Sequence, residues 1–252
     1  MNTETLDQPI VADVAVSAPA VVIESAAPAV AAVAEGPNPF IALGLDGALV
    51  RAVSDLGYTQ PTEVQAKVIP LAMGSGKADE ASIDLMVSSQ TGSGKTAAFL
   101  LPVLNTLIAQ KAIEAAAEQA EFERQRAQAA ASGEAAPKRA KRKNPMQSRN
   151  FKAAVPGALV LCPTRELAQQ VAQDAIELVK HCKNLRVANV VGGMPYQLQI
   201  AKLQNADLVV ATPGRLLDLQ RSLQIKLDKV QFLVVDEADR MLDLGFADDL
   251  EE

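Results

Sequence analysis

The residues best suited to chemistry lie in a glycine-rich segment, where Gly92 and Gly94 are followed directly by Lys95 and Thr96. Glycines carry no side chain, so backbone N–H groups there can approach a polyphosphate closely. A helix beginning at this point would add its positive dipole end and its unpaired N–H groups. Lys95 can reach the β- and γ-phosphates, and the Thr96 hydroxyl can ligate Mg²⁺. The segment therefore predicts a nucleotide-phosphate site of the P-loop type.

The general P-loop pattern asks for glycine at position 89, where this chain has Ser89. The surrounding context fits, because the apolar run 85–87 predicts a buried strand before the loop and apolar residues at helical spacing follow it. The alternative is a glycine-rich turn ahead of an ordinary helix. A second Gly-Ser-Gly-Lys segment, at residues 74–77, has no strand before it and Ala78 where a hydroxyl is needed, so it is interpreted as a loop.

Two adjacent carboxylates, Asp236 and Glu237, follow the apolar run 232–235. Together with a P-loop, this is the arrangement of a Walker B motif. Asp236 would hold Mg²⁺ through water, and Glu237 would orient and polarise the attacking water. The alternative is a strand that simply ends in surface acids.

The second half of the chain alternates apolar strand-like runs with helical patterns. The runs span residues 158–162, 186–191, 206–211 and 230–235, and the helical patterns span 166–181, 196–204 and 214–219. This alternation predicts an α/β fold with a parallel, doubly wound sheet. Ligands of such sheets bind outside the carboxyl ends of the strands, which is where the candidate residues lie.

Composition limits the class of protein. The net charge of −6 argues against a uniformly basic nucleic-acid binder, although it permits a local basic patch. Cys162 and Cys182 show no metal-binding spacing, which favours thiols in a reducing compartment. No long uncharged apolar run or secretory signal is present. We therefore expect a cytoplasmic protein that does not enter a membrane.

Two segments differ in composition from the rest. Residues 1–37 are rich in Ala, Val and Pro and predict a disordered tail. Residues from about 111 to 152 predict a solvated insertion, which starts as a helix-prone Ala/Glu/Gln stretch and includes the basic run 138–143. That run could contact nucleic acid or could serve only as a solubilising loop.

Asp236, Glu237, Ala238 and Asp239 spell the signature of the DEAD-box ATP-dependent RNA helicases, and further motifs resemble that family in its own order. They are Phe40 with residues 57–65 for the Q motif, 89–96 for motif I, 163–168 for motif Ia, 192–193 for the GG motif and 212–215 for motif Ib. The family has Ala or Ser where the general P-loop has Gly, which accounts for Ser89. The resemblance implies a RecA-like P-loop NTPase domain over residues 38–252, with a parallel sheet, helices on both faces and the Q motif within 40–70.

The resemblance also implies a role for each matching residue. ATP would be bound by Phe40, Tyr58, Gln65, Ser89, Gln90, Thr91, Gly92, Ser93, Gly94, Lys95 and Thr96. Gln65 would bind adenine through its amide, Tyr58 or Phe40 would pack on the base, and Thr62 would help to fix the loop. Lys95, Asp236 and Glu237 would be catalytic, with Thr96 and Asp236 as the Mg²⁺ ligands.

RNA would contact the sheet's other loops through its sugar-phosphate backbone, without base reading. The residues implied are Pro163, Thr164, Arg165, Gly192, Gly193, Thr212, Pro213, Gly214 and Arg215. Asp239 would couple the ATP site to the family's Ser-Ala-Thr motif. That motif and the second RecA-like domain, which carries the arginine fingers, are not found in these 252 residues. We therefore expect a first core domain, a monomer, that binds nucleotide with little turnover until a second domain joins it in local unwinding of RNA.

Two other functions remain open. A DNA helicase of the same superfamily would share the P-loop and the adjacent acids, but it would lack Gln65 and would usually carry His at position 239. A non-catalytic module that binds ATP and RNA is the second alternative, and RNA-stimulated ATP turnover would distinguish it from an enzyme.

Overall fold

The computed structural model describes residues 21–25, 38–74, 84–132 and 152–251. The strands are β1 (Val21–Ser25), β2 (Leu85–Ser89), β3 (Ala158–Leu161), β4 (Val187–Val190), β5 (Leu208–Ala211) and β6 (Phe232–Val235). The helices are α1 (Gly47–Asp55), α2 (Glu63–Met73), α3 (Lys95–Ser132), α4 (Arg165–Leu178), α5 (Tyr196–Leu203), α6 (Pro213–Arg221), α7 (Ala238–Asp243) and α8 (Ala247–Glu251). A short 3₁₀ helix, Pro39–Leu43, precedes α1.

The main sheet has the order β4-β5-β3-β6, and every pair in it is parallel. Alternate residues face opposite sides, so Val160 and Val210 join a core formed with α1, α3 and α4, whereas Leu159 and Val209 join a core formed with α5, α6 and α7. The predicted α/β class, the four strands and the helices on both faces are therefore confirmed.

The P-loop strand β2 lies in a separate sheet, where it pairs in parallel with β1. Its side chains alternate between half-buried and exposed, and Met86 is 61% exposed, so the prediction of a buried strand at residues 85–87 is wrong for Met86. An apolar run indicates a strand, but burial on both faces requires covering elements that the run itself does not specify.

Strand β1 lies within residues 1–37, for which the sequence predicted a disordered tail and no strand. Its consecutive β-branched residues favour an extended backbone, which is the local reason for the strand. Residues 1–20 and 26–37 lie outside the described part of the chain.

Helix α3 is 38 residues long and changes character along its length. Leu100, Leu101, Leu104 and Leu107 are buried in the core, whereas almost all residues past Lys111 are exposed. Among the described helices, α3 alone is long and apolar enough to meet a membrane-span criterion. Its apolar part packs inside the core, which is the usual reason for such a match.

The predicted insertion at 111–152 thus begins as the exposed end of α3. Lys111 forms an ion pair of 2.8 Å with Asp207, which ties this helix to the turn before β5. The basic run 138–143 lies outside the described residues, and so do residues 75–77 of the second Gly-Ser-Gly-Lys segment.

Candidate functional site

The glycine-rich loop connects the carboxyl end of β2 to the first residue of α3. Gly92 and Gly94 have φ angles of +83° and +86°, which L side chains rarely adopt. Ser93 donates its backbone N–H to the Gln90 carbonyl at 3.3 Å, and its hydroxyl lies 2.6 Å from that of Ser89. Ser89 thus braces the loop through a hydroxyl that glycine would lack.

Lys95 folds back over its own loop. Its Nζ donates to the carbonyl of Gln90 at 3.0 Å and also to the carbonyl of Ser89. The ammonium group is therefore held by two backbone carbonyls of its own loop, which are weak acceptors that an anion could replace.

Gln65 joins the Q motif to this loop. Its Oε1 accepts the Thr62 N–H at 3.1 Å, while its own N–H donates to the Thr62 hydroxyl, which completes a capping box at the start of α2. Its Nε2 donates to the Gly94 carbonyl at 3.2 Å. A Cβ at Gly94 would lie 2.5 Å from this Nε2, so glycine is required for the contact. Thr62 thus holds Gln65, which contacts the loop, and its own role in fixing the loop stays a prediction.

The two aromatic residues of the Q motif have different environments. Phe40 is fully buried and packs with Leu49 and Ile69 in the main core, so its predicted contact with a base is wrong. Asn38 caps the 3₁₀ helix by accepting the Phe40 N–H at 3.0 Å, and Phe40 is the buried residue of that helix. Tyr58 is 41% exposed and remains the aromatic residue available to a base.

The two carboxylates at the end of β6 differ in solvation. Asp236 is half-buried, and burial raises the pKa of its carboxyl, an effect that neighbouring Glu237 strengthens and the Lys95 charge opposes. Glu237 is exposed and has a φ angle of +51°, a left-handed conformation that costs free energy for a non-glycine residue.

The Glu237 carboxylate has a partner within its own turn, since Arg240 Nη1 lies 3.2 Å from its Oε2. Asp239 is exposed on the first turn of α7. Behind the site, burial raises the pKa of the Cys162 thiol to about 12, with further contributions from Asp236 and Glu237. Cys162 is thus a buried thiol that stays protonated.

Among the described residues, no group of three or more His, Cys, Asp or Glu side chains is arranged to hold a metal ion. Mg²⁺ beside nucleotide phosphates is commonly bound by only one or two protein ligands, since it keeps most of its water.

A second group of predicted residues meets at the carboxyl ends of β3 and β4. Arg165 begins α4, whose N-cap Thr164 accepts the Leu167 N–H at 3.3 Å, and buried Pro163 precedes it. The Arg165 guanidinium lies against Gly193: a Cβ on that glycine would be 2.4 Å from Nη1. Motif Ia and the GG motif are therefore in direct contact.

The end of β5 completes this surface. Thr212 is the N-cap of α6, buried Pro213 is its first residue, and exposed Gly214 precedes Arg215. The guanidinium carbon of Arg215 lies 5.7 Å from the centroid of the Tyr196 ring.

Sequence reasoning missed Gln199 and Tyr196. Gln199 is fully buried, and its Nε2 donates to the carbonyls of Val191 at 2.7 Å and Met194 at 3.2 Å, on either side of the two glycines. The uncharged amide of Gln199 within a short helix was the signal that the sequence offered. Through its two hydrogen bonds, Gln199 holds the loop that contains Gly192 and Gly193.

Comparison with known proteins supports the same family. The family model described as DEAD/DEAH box helicase matches residues 62–252. DEAD-box ATP-dependent RNA helicase 52A from Oryza sativa subsp. japonica is 41% identical over 208 residues, which cover 82% of this chain and 29% of that protein.

Two solved structures have the same architecture. Prp28 from Chaetomium thermophilum bound to ADP aligns with a TM-score of 0.59 at 32% identity, covering 83% of this chain and 40% of that one. Dbp5 from S. cerevisiae bound to RNA and ADP BeF3 aligns with a TM-score of 0.57 at 28% identity, covering 85% and 42%. The chain spans less than half the length of these relatives. The match over residues 62–252, joined to the motif geometry above, shows that the chain belongs to the DEAD/DEAH box helicase family.

Proposed function

We propose that this chain is the ATP-binding first core domain of an ATP-dependent RNA helicase. The observation that carries the proposal is the contact of the Q motif with the glycine loop, where Gln65 Nε2 donates to the Gly94 carbonyl at 3.2 Å, directly before Lys95. DEAD-box helicases bind ATP and ADP, and the two structural relatives were solved with ADP and with ADP BeF3. ATP hydrolysis and RNA remodelling by the whole protein belong to the same proposal.

The triphosphate would lie over residues 90–94. The loop N–H groups and the first turn of α3 point partial positive charge toward it. Lys95 would exchange the carbonyls of Ser89 and Gln90 for phosphate oxygens, which are better acceptors because they are ionised. The cation is therefore already close to the position that nucleotide binding requires.

Thr96 and Asp236 fit Mg²⁺, since both offer oxygen ligands. Asp236 and Glu237 are neighbouring carboxylates, and the pKa of Asp236 is raised, so a bound cation would stabilise their charged forms. Bound Mg²⁺ would supply charge neutralisation for the phosphates. Glu237, turned sharply off the strand by its left-handed backbone, would orient the attacking water.

Adenine would stack on Tyr58 and bond to the Gln65 amide. Both polar atoms of that amide bond to the protein here, to Thr62 and Gly94. An adenine bound to Gln65 would therefore share or replace its hydrogen bond to Thr62 or Gly94. Recognition of the base would in this way be linked to the position of the glycine loop.

RNA would bind along the surface of Arg165, Gly193, Thr212 and Arg215. Two guanidinium groups and the N-termini of α4 and α6 suit a phosphate backbone and offer no device for reading bases. We extend the proposal to a monomeric, cytoplasmic protein that completes its site with a second RecA-like domain.

Replacing Lys95 with Ala tests the nucleotide site. Loss of a charge-assisted phosphate contact of roughly 1.5–3 kcal/mol should weaken binding at least tenfold. Titration of a fluorescent ADP analogue with and without Mg²⁺ measures this, and exposed Lys226, replaced by Ala, is the matched control. Equal affinities for the parent and Lys95→Ala would refute the assignment. RNA-stimulated ATP turnover, measured with an added second domain, distinguishes the enzyme from a non-catalytic binding module.

A further inference from the structure

Tyr196 occupies the junction between the GG loop and the motif Ib helix. It is the first residue of α5, directly after the loop 191–195, and its ring lies under the guanidinium of Arg215 in the first turn of α6. The ring is half-buried and packs at the edge of the core beneath α5 and α6. One aromatic side chain thus connects two motifs that follow different strands.

The orientation of the ring is fixed at its far end. The Tyr196 hydroxyl hydrogen-bonds to the Ser222 hydroxyl just after α6. Ser222 Oγ also lies 2.7 Å from the Asp218 carbonyl and 3.2 Å from the Leu219 carbonyl. A serine hydroxyl has one proton, which those carbonyls attract, so the Tyr196 O–H is the donor in the bond to Ser222. The ring is therefore held by the backbone of α5 at one end and by Ser222 at the other.

A ring in this position suits phosphate binding by Arg215. A guanidinium group donates hydrogen bonds from its edge, in the plane of its nitrogens, and is attracted to an aromatic ring through its face. The ring can thus hold Arg215 while its N–H groups stay directed to solvent. Arg165 is supported in a comparable way, because it lies flat against the bare backbone of Gly193.

We propose that Tyr196, anchored by Ser222, is a positioning residue that presents the Arg215 guanidinium to an RNA phosphate. The proposal rests on the proposed RNA surface and adds to it a residue outside the motifs. Tyr196 touches Arg215 rather than RNA, so its effect should pass entirely through that side chain.

Fluorescence anisotropy with a fluorescein-labelled oligouridylate over a range of KCl concentrations tests this on the full 252-residue chain. Tyr196→Leu keeps apolar bulk and removes the aromatic face. A cation–π contact at an exposed site implies an affinity loss of about two- to fivefold. The slope of log affinity against log salt should also become shallower, by up to about 0.7, as one phosphate contact is lost.

The decisive comparison is a double-mutant cycle with Arg215→Ala. Tyr196→Leu should cause no further loss once Arg215 is alanine, because the ring would then have nothing to position. Arg186→Ala is the matched control: this exposed arginine precedes β4, at the amino-end edge of the sheet, and its loss should leave RNA affinity unchanged.

Additive losses in the cycle, or an unchanged affinity and slope for Tyr196→Leu, would overturn the positioning role. If Arg215→Ala itself binds RNA like the parent, the proposed RNA surface fails instead. Ser222→Ala, which removes only the anchor, should weaken binding in the same direction. If thermal melting shows that Tyr196→Leu is unfolded, Ser222→Ala takes its place in the test. An RNA affinity of Ser222→Ala equal to that of the parent would then overturn the proposal.

Discussion

Replacing Gly193 with alanine tests whether the GG loop is built to receive the Arg165 guanidinium. Gly193 has a φ angle of +77°, so an alanine there is strained by about 1–2 kcal/mol whatever surrounds it. Its Cβ would also lie 2.4 Å from Arg165 Nη1 and 2.8 Å from Cζ. Carbon contacts are favourable at about 3.5–4.0 Å, so the guanidinium must move by about 1 Å.

The effect of that movement on RNA binding has an upper limit. Removing the contact altogether, in Arg165→Ala, should weaken RNA binding roughly tenfold, which corresponds to about 1.4 kcal/mol. A displaced but intact guanidinium should lose less, so we expect about a threefold loss for Gly193→Ala at low salt. Anisotropy with labelled single-stranded RNA measures the affinity, and urea unfolding measures the strain.

Gly245 offers a matched control. It has a φ angle of +82°, and no atom lies within 4 Å of the Cβ that an alanine would carry there, so Gly245→Ala adds the same backbone strain without a collision. Both alanines should lower the free energy of unfolding by similar amounts, whereas only Gly193→Ala should weaken RNA binding. If both variants bind RNA like the parent, contact with Gly193 has no part in presenting Arg165, and the reasoning is refuted.

Three further outcomes are expected. Gln65→Ala should lower the free energy of unfolding by about 1–2 kcal/mol in urea, because a capping contact and the bond to Gly94 are lost together, whereas exposed Gln170→Ala should not. Burial raises the pKa of Cys162 to about 12, so at pH 8 iodoacetamide should label it in unfolded protein but not in native protein, as read by mass spectrometry. Deleting residues 112–150 should leave the cooperative thermal melt in place and weaken RNA binding most at low salt, since the basic run is removed; loss of the melt would show that the segment belongs to the core.

The strands and the P-loop could be predicted because their signals are local. Strand β5 lies in a largely apolar run bounded by helical patterns, so its type and its place in a parallel sheet follow from the sequence, although the predicted run 206–211 is two residues longer than the strand. Lys95 likewise begins a helix directly after two glycines, and that order alone indicates a phosphate loop.

Side-chain environment was less predictable. Phe40 and Tyr58 are aromatic residues of one motif, and nothing in their spacing shows that one completes the core while the other stays exposed. Gln65 was expected to offer its amide to a base, yet N–H and C=O groups of the protein compete for the same atoms. The contact between Tyr196 and Arg215 joins two helices and has no signature in either.

Strand β6 leads directly into the two adjacent carboxylates but is less covered than β3, the strand with which it pairs. Leu233 and Val235 of β6 lie in register with Leu159 and Leu161 of β3. Leu233 is 60% exposed and Val235 is 37% exposed, whereas Leu159 and Leu161 are only 4% and 7% exposed. Local opening costs little free energy where few apolar contacts are lost. Amide hydrogens of β6 should therefore exchange with solvent faster than those of β5. By linkage, any element that comes to cover Leu233 and Val235 slows that opening and stabilises the strand that positions Asp236.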